Sequence, residues 1–89
     1  PLTWYFALGG KTGPRYTVKV KGSDLIIRPG KPASGSADCV IKTSEEMFRK
    51  MIMEAYVPQV SEFMGGKIKT NAPNLLLEFQ RIFNLKANQ

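Results

Sequence analysis

The stretch Val57 to Thr70, VPQVSEFMGGKIKT, constrains this chain more than any other. Val57, Val60, Phe63 and Met64 fall at helical spacing, which predicts a short apolar helix. Gly65-Gly66 ends it, because glycine can leave a helix through backbone conformations that a Cβ resists. Lys67 to Thr70 then reads as a short strand. Four residues cannot make a sheet, so a sheet formed elsewhere must receive them. The expected architecture is a layer of helices packed on a sheet.

The preceding residues supply that sheet. Thr3 to Leu8 alternates, with Trp4, Phe6 and Leu8 on one face, as in a half-buried strand. Gly9 to Pro14 is a turn, and Arg15 to Lys21 a second strand with Tyr16, Val18 and Val20 inward. Leu25 to Arg28 and Asp38 to Thr43 complete four strands, expected as a meander or a close relative of one. Cys39 and Ile41 share the inner face of the fourth. The period then changes. Thr43 and Glu46 match a capping box, and Met47, Phe48, Met51, Ile52 and Ala55 fall on one helical face, with Met53 off it. Pro58 suits the first turn of the next helix. A final amphipathic helix runs from Leu75 to about Leu85, with Asn71 or Asn74 as its cap, Asn84 outside and Leu77 off the main face.

Eighty-nine residues, 43% of them hydrophobic, support a single folded domain spanning 1–89. The chain begins at Pro1, close to the first strand and without an initiator Met, so it reads as an excised or C-terminal part of a larger protein. One cysteine and no histidine exclude an internal disulfide and a Cys/His zinc cluster, and fit a reducing compartment. No run reaches the roughly 18 apolar residues of a membrane span, and no signal peptide or peroxisomal Ser-Lys-Leu ending is present. The expected location is intracellular, in the cytoplasm, as a soluble domain.

Little here points to catalysis. Without histidine, the commonest general base is gone. Glu45 and Glu46 open a helix, where carboxylates compensate its dipole. Cys39 on an inward face behaves as a small hydrophobe, with no basic partner to activate it. Gly9-Gly10-Lys11-Thr12-Gly13 lacks phosphate-loop spacing and precedes a strand, so it is a turn. No cofactor is expected. The net charge of +6 permits attraction to anionic partners. Its groups are Arg15, Lys19 and Lys21 on one strand and Lys67 and Lys69 on another, read first as solvated faces. Aromatic interleaving is weak, with Tyr5 alone expected on a face with Arg15 and Lys19, and no RNP-like motif is present, so nucleic acid is disfavoured. The four Met and the Phe residues of the second half form an apolar excess, adaptable in shape.

These features together resemble the sterol carrier protein-2 family of lipid-binding domains. Asp38 to Ser44, DCVIKTS, is similar to the family's Asp-Val-Thr-Ile-like strand running into a capped helix. Phe63-Met64-Gly65-Gly66-Lys67-Ile68-Lys69 is similar to its Phe-Met-x-Gly-Lys-Leu-Lys segment. A Leu-rich final helix closes the match, which spans nearly the whole chain. Two features depart from the family. Its members begin with a helical segment, whereas this chain starts at the first strand. The family's Gly after the last strand is here replaced by Asn71-Ala72-Pro73.

The resemblance implies an α+β fold, a five-stranded, mostly antiparallel sheet with about three helices on one face enclosing an apolar tunnel. It implies a non-enzymatic domain that carries or presents a sterol, fatty acid, acyl-CoA or phospholipid, alone or beside a fused or partner enzyme domain. Trp4, Phe6, Met47, Met51, Phe63, Met64, Leu76, Phe79 and Phe83 are the expected lining. Lys67 or Lys69 would steer a headgroup or make transient contact with anionic membrane. The alternative is a structural or oligomerisation module of a multidomain enzyme, its hollow filled by side chains.

Overall fold

Alternation in Thr3–Leu8 drives Trp4, Phe6 and Leu8 to one side of a strand, and in the computed structural model all three are fully buried. The structure describes residues 2–22 and 24–87. They form β1 (Thr3–Leu8), β2 (Arg15–Lys21), β3 (Asp24–Pro29), β4 (Cys39–Thr43), α1 (Glu45–Met53), α2 (Val60–Met64), β5 (Lys69–Thr70) and α3 (Pro73–Ala87). The expected outer position of Asn84's side chain, and the last two residues, lie outside what is described.

The sheet order is β3-β2-β1-β4-β5. β1 pairs antiparallel with β2 and parallel with β4, while β2–β3 and β4–β5 are antiparallel. The α+β expectation of a mostly antiparallel five-stranded sheet holds. The meander does not: β4 skips β3 and β2 and lies beside β1. Register explains the core. Val18, Trp4 and Cys39 stand in one cross-strand row, and Tyr16, Phe6 and Ile41 in the next. The helices cover this face, with Met47 and Met51 of α1 and Leu76 and Phe79 of α3 buried against it. Burying each such side chain contributes about 1.5–3 kcal/mol.

Several local expectations are corrected by hydrogen bonding. Ser44, not Thr43, caps α1, its hydroxyl accepting from the Met47 N–H at 3.0 Å. Thr43 is the last inward residue of β4, and it donates to the Lys67 carbonyl at 2.9 Å. α1 ends at Met53, and Ala55 sits beyond it at φ 54, exposed rather than on the helical face. Val57 and Pro58 precede α2 instead of opening it. Gln59 is its cap, with the Gln59 N–H donating to Glu62 at 2.9 Å. Gly66 does take positive φ, +80°. The strand after it shrinks to Lys69–Thr70, because the Lys67 and Ile68 amides bond back to the Glu62 carbonyl. Neither Asn71 nor Asn74 caps α3. The Asn71 side chain accepts from the Val40 N–H at 2.8 Å, Pro73 takes the first helical position, and Asn74 follows it inside the helix.

Arg15 also leaves its expected role. Its guanidinium donates to the carbonyls of Leu8 at 2.9 Å and Gly13 at 2.8 Å, and also to Gly10. It holds the Gly9–Pro14 turn closed, separate from Lys19 and Lys21.

Candidate functional site: an apolar cluster and the groove beside it

Phe79 of α3 is the hub of the helix–sheet interface. Its ring centroid lies 5.5 Å from Trp4, 5.1 Å from Phe6 and 5.9 Å from Phe83. Phe6 in turn meets Phe48 of α1 at 4.9 Å. These tilted pairs are the geometry that aromatic quadrupoles favour. Of the nine residues expected to line a cavity, Trp4, Phe6, Met47, Met51, Leu76 and Phe79 are buried in one cluster, and Phe63 and Phe83 pack partly buried against it. Met64 stands apart, 84% exposed on α2. A helix of five residues presents only about one face, and Phe63 occupies the inward position.

The accessible apolar surface lies one layer outward. Leu8, Pro14, Tyr16, Glu45, Phe48, Arg49, Ile52 and Met53 line a groove of about 300 Å³ between α1 and the β1–β2 turn. Tyr16 and Phe48 stack there at 5.8 Å with planes 8° apart. Since Phe48 also contacts Phe6, the groove wall is continuous with the buried cluster. Met53, 76% exposed, stands at its edge, and Glu45 and Arg49 supply charge at the rim. Sequence reading placed Phe48 and Ile52 on the inward helical face without separating them from the sealed core. Met53, apolar but off that face, was the signal available.

A polar junction ties the α1–α2 connection to α3. The Tyr56 hydroxyl donates to Glu62, and this bond holds the Glu62 carboxyl below its ordinary value and pushes the Tyr56 hydroxyl up. The Lys50 ammonium sits 4.3 Å above the Tyr56 ring. Buried Gln80 donates to the Tyr56 carbonyl, and its amide oxygen has no partner among the described residues. Sequence reading did not single out Gln80.

The remaining candidates separate. Lys67 borders a hollow with Ser44, Glu46, Lys50 and Glu62, while Lys69 lies by Val40, Lys42 and Asn71. The two do not share one site. Cys39 is fully buried, and its thiol pKa is raised, chiefly by that burial. Its sulfur contacts the Thr70 hydroxyl at 3.2 Å and the Ala72 carbonyl at 3.5 Å, as a packed strand residue does. Among the described residues no three His, Cys, Asp or Glu side chains gather as a metal site would need, and no helix is long and apolar enough to cross a membrane.

No family model matches the sequence. The chain is 31% identical over 74 residues to the peroxisomal multifunctional enzyme type 2 of Mus musculus, covering 83% of this chain and 10% of that protein. It therefore spans about a tenth of the length of that curated relative. Sterol carrier protein 2 of Yarrowia lipolytica, in its apo form, superposes with a TM-score of 0.67 at 24% identity, over 92% of this chain and 66% of that one. The ubiquinone synthesis protein UbiJ-SCP2 superposes with a TM-score of 0.68 at 12% identity, over 99% of this chain and 69% of that one. The resemblance first carried by Phe63 to Lys69 thus extends to the whole architecture, and the chain has the fold of the sterol carrier protein-2 family.

Proposed function

We propose that this domain binds a lipid through its apolar inner layer and carries or presents it, without chemistry of its own. The observation that carries this reading is the groove at Tyr16, Phe48, Ile52 and Met53, continuous through Phe48 with the Phe6–Phe79 cluster. Its volume of about 300 Å³ lies at the lower end for ligand sites, roughly 300–1,000 Å³. A full acyl chain or sterol would therefore enter by displacing side chains of the cluster, Met51 and Phe79 foremost. Each CH₂ removed from water contributes about 0.8 kcal/mol, so affinity would come from apolar burial and selectivity among lipids would be loose. Sterol, fatty acid, acyl-CoA and phospholipid all satisfy that chemistry, with Arg49 at the rim for an anionic head. Similarity to a short part of a multifunctional enzyme supports presentation within, or beside, a larger enzyme. A lone buried thiol suits an intracellular, reducing setting.

The test is native mass spectrometry of the protein after incubation with palmitate, cholesterol or phosphatidylcholine. A one-to-one adduct that extracts as lipid supports the reading, as does its loss in a folded Ile52→Glu variant. An unchanged apo mass with all three lipids would sink it. That result, with a dimer by light scattering, would favour the filled-core oligomerisation module instead.

A further inference from the structure

The charge of this protein is not spread evenly. Residues 1–44 hold seven Lys and Arg against two Asp, whereas residues 45–89 hold six against five Glu. The net charge therefore belongs to the sheet half. Alternation on β2 turns Tyr16 and Val18 toward the helices and leaves Thr17, Lys19 and Lys21 on the opposite face, where Arg28 of β3 stands beside Thr17 in register. The chain leaving β3 stays close to this face, because the Thr17 hydroxyl donates to the Gly30 carbonyl at 2.7 Å. Lys19, Lys21, Arg28 and Lys31, with Ile26 and Pro32 between them, thereby line a groove of about 370 Å³. No carboxylate lines it, and none pairs with these four cations among the described residues. Asp24, opposite Lys21 at the strand end, is the nearest acid in register.

The apolar groove and the basic groove back onto the same strand, since adjacent Tyr16 and Thr17 line one each. β3, the edge strand beside them, exposes Ile27 to 47%. We propose that this β2–β3 edge is the surface by which the protein docks on an anionic phospholipid bilayer, with headgroup phosphates against Lys19, Lys21, Arg28 and Lys31. The inference rests on the lipid-binding reading: the apolar groove lies on the opposite face of the sheet, so docking through the basic face leaves its mouth uncovered. Charge complementarity favours the bilayer, whose phosphates meet a row of cations with apolar residues interspersed. A single-stranded nucleic acid would stack its bases on aromatic side chains, and none lines the groove; Tyr5, opposite Thr17 in register, stands outside it. Lys67 and Lys69, the cations expected from sequence to meet headgroups, lie at the far, β5, end of the sheet.

The experiment is co-sedimentation with phosphatidylcholine vesicles prepared with and without phosphatidylglycerol, across a salt series. Binding is expected only to the anionic vesicles and to fall with salt. Each cation near such a surface is worth roughly fivefold in partitioning, so Lys19→Glu/Lys31→Glu should lower binding by at least roughly 25-fold. Lys67→Glu/Lys69→Glu, which changes net charge equally, should retain it. If the reversed pair shifts the urea midpoint, Lys19→Gln/Lys31→Gln should show the same ordering. Equal loss in both pairs, or no preference for anionic vesicles at low salt, would overturn the proposal. So would glycerophosphate competing as well as vesicles do, which would leave a small-anion site, or a preference for single-stranded RNA. Lipid uptake by native mass spectrometry on the same variants separates the two readings. Docking that follows the expected ordering without any uptake would strike the carrier reading alone.

Discussion

Trp4 in β1 donates its indole N–H to the carbonyl oxygen of Leu75 at 2.8 Å, joining positions 71 apart in the chain. The bond fixes the first turn of α3 over the strand at the centre of the sheet, where the same indole packs on Phe79. Trp4→Phe keeps an aromatic ring but removes the donor and leaves a small void. Urea denaturation should show a loss of about 2 kcal/mol, from one hydrogen bond and a modest cavity. Unchanged stability would mean that the indole N–H contributes nothing to docking α3.

Gly13 illustrates a requirement for space rather than for an unusual φ. A Cβ built there would lie 1.8 Å from the Leu8 carbonyl oxygen, which Arg15 also holds. Gly13→Ala should cost about 3 kcal/mol, the upper range for overpacking, because backbone rather than a mobile side chain must shift. Gly35→Ala meets no atom within 4 Å but imposes φ +80° on a residue with a side chain. Its cost should be about 1–2 kcal/mol. Thermal unfolding of the pair checks the order.

The Tyr56–Glu62 bond makes stability dependent on pH at both ends. Glu62 titrates below its ordinary value of 4.5 when folded, because the Tyr56 hydroxyl and then the Gln59 N–H bond its carboxylate. Its contribution is therefore present above pH 4.5 and is lost as pH falls through the lower folded value. Tyr56 titrates above its ordinary 10.0 for the same bond, so its contribution is present below 10 and lost as pH rises through the folded value. Urea midpoints measured against pH should show a plateau with two flanks, both flattened in Glu62→Gln and in Tyr56→Phe. Flanks that persist in both variants would assign them to other groups.

The inner face of the sheet was legible residue by residue. Trp4, Phe6, Val18, Cys39 and Ile41 recur at every second position of their strands, and a period of two puts those of each strand on one face. The Gly65-Gly66 exit from α2 was legible as well, because Gly66 takes a positive φ that few residues tolerate. Met64 and Thr43 were misread for a shared reason. Whether an apolar residue on a short helix is covered, or a hydroxyl caps a helix, depends on what lies opposite. For Thr43 that neighbour is the Lys67 carbonyl, far away in sequence.

What the sequence determined by itself is therefore local: which residues alternate, where helices begin to within about three residues, and that the chain holds no histidine for acid–base chemistry. Neighbours in space were decided only by the tertiary structure. A strand's alternation states which side faces the core but not which strand lies beside it, and so the parallel pairing of β1 with β4 was not readable. That pairing sends the chain after β3 back toward the outer face of the sheet. It gathers Lys31 with Lys19 and Arg28 there, and leaves Tyr16 on the other side of the same strand to stack on Phe48. The groove and the basic face both arise from long-range packing, because each is built by residues that share no local pattern.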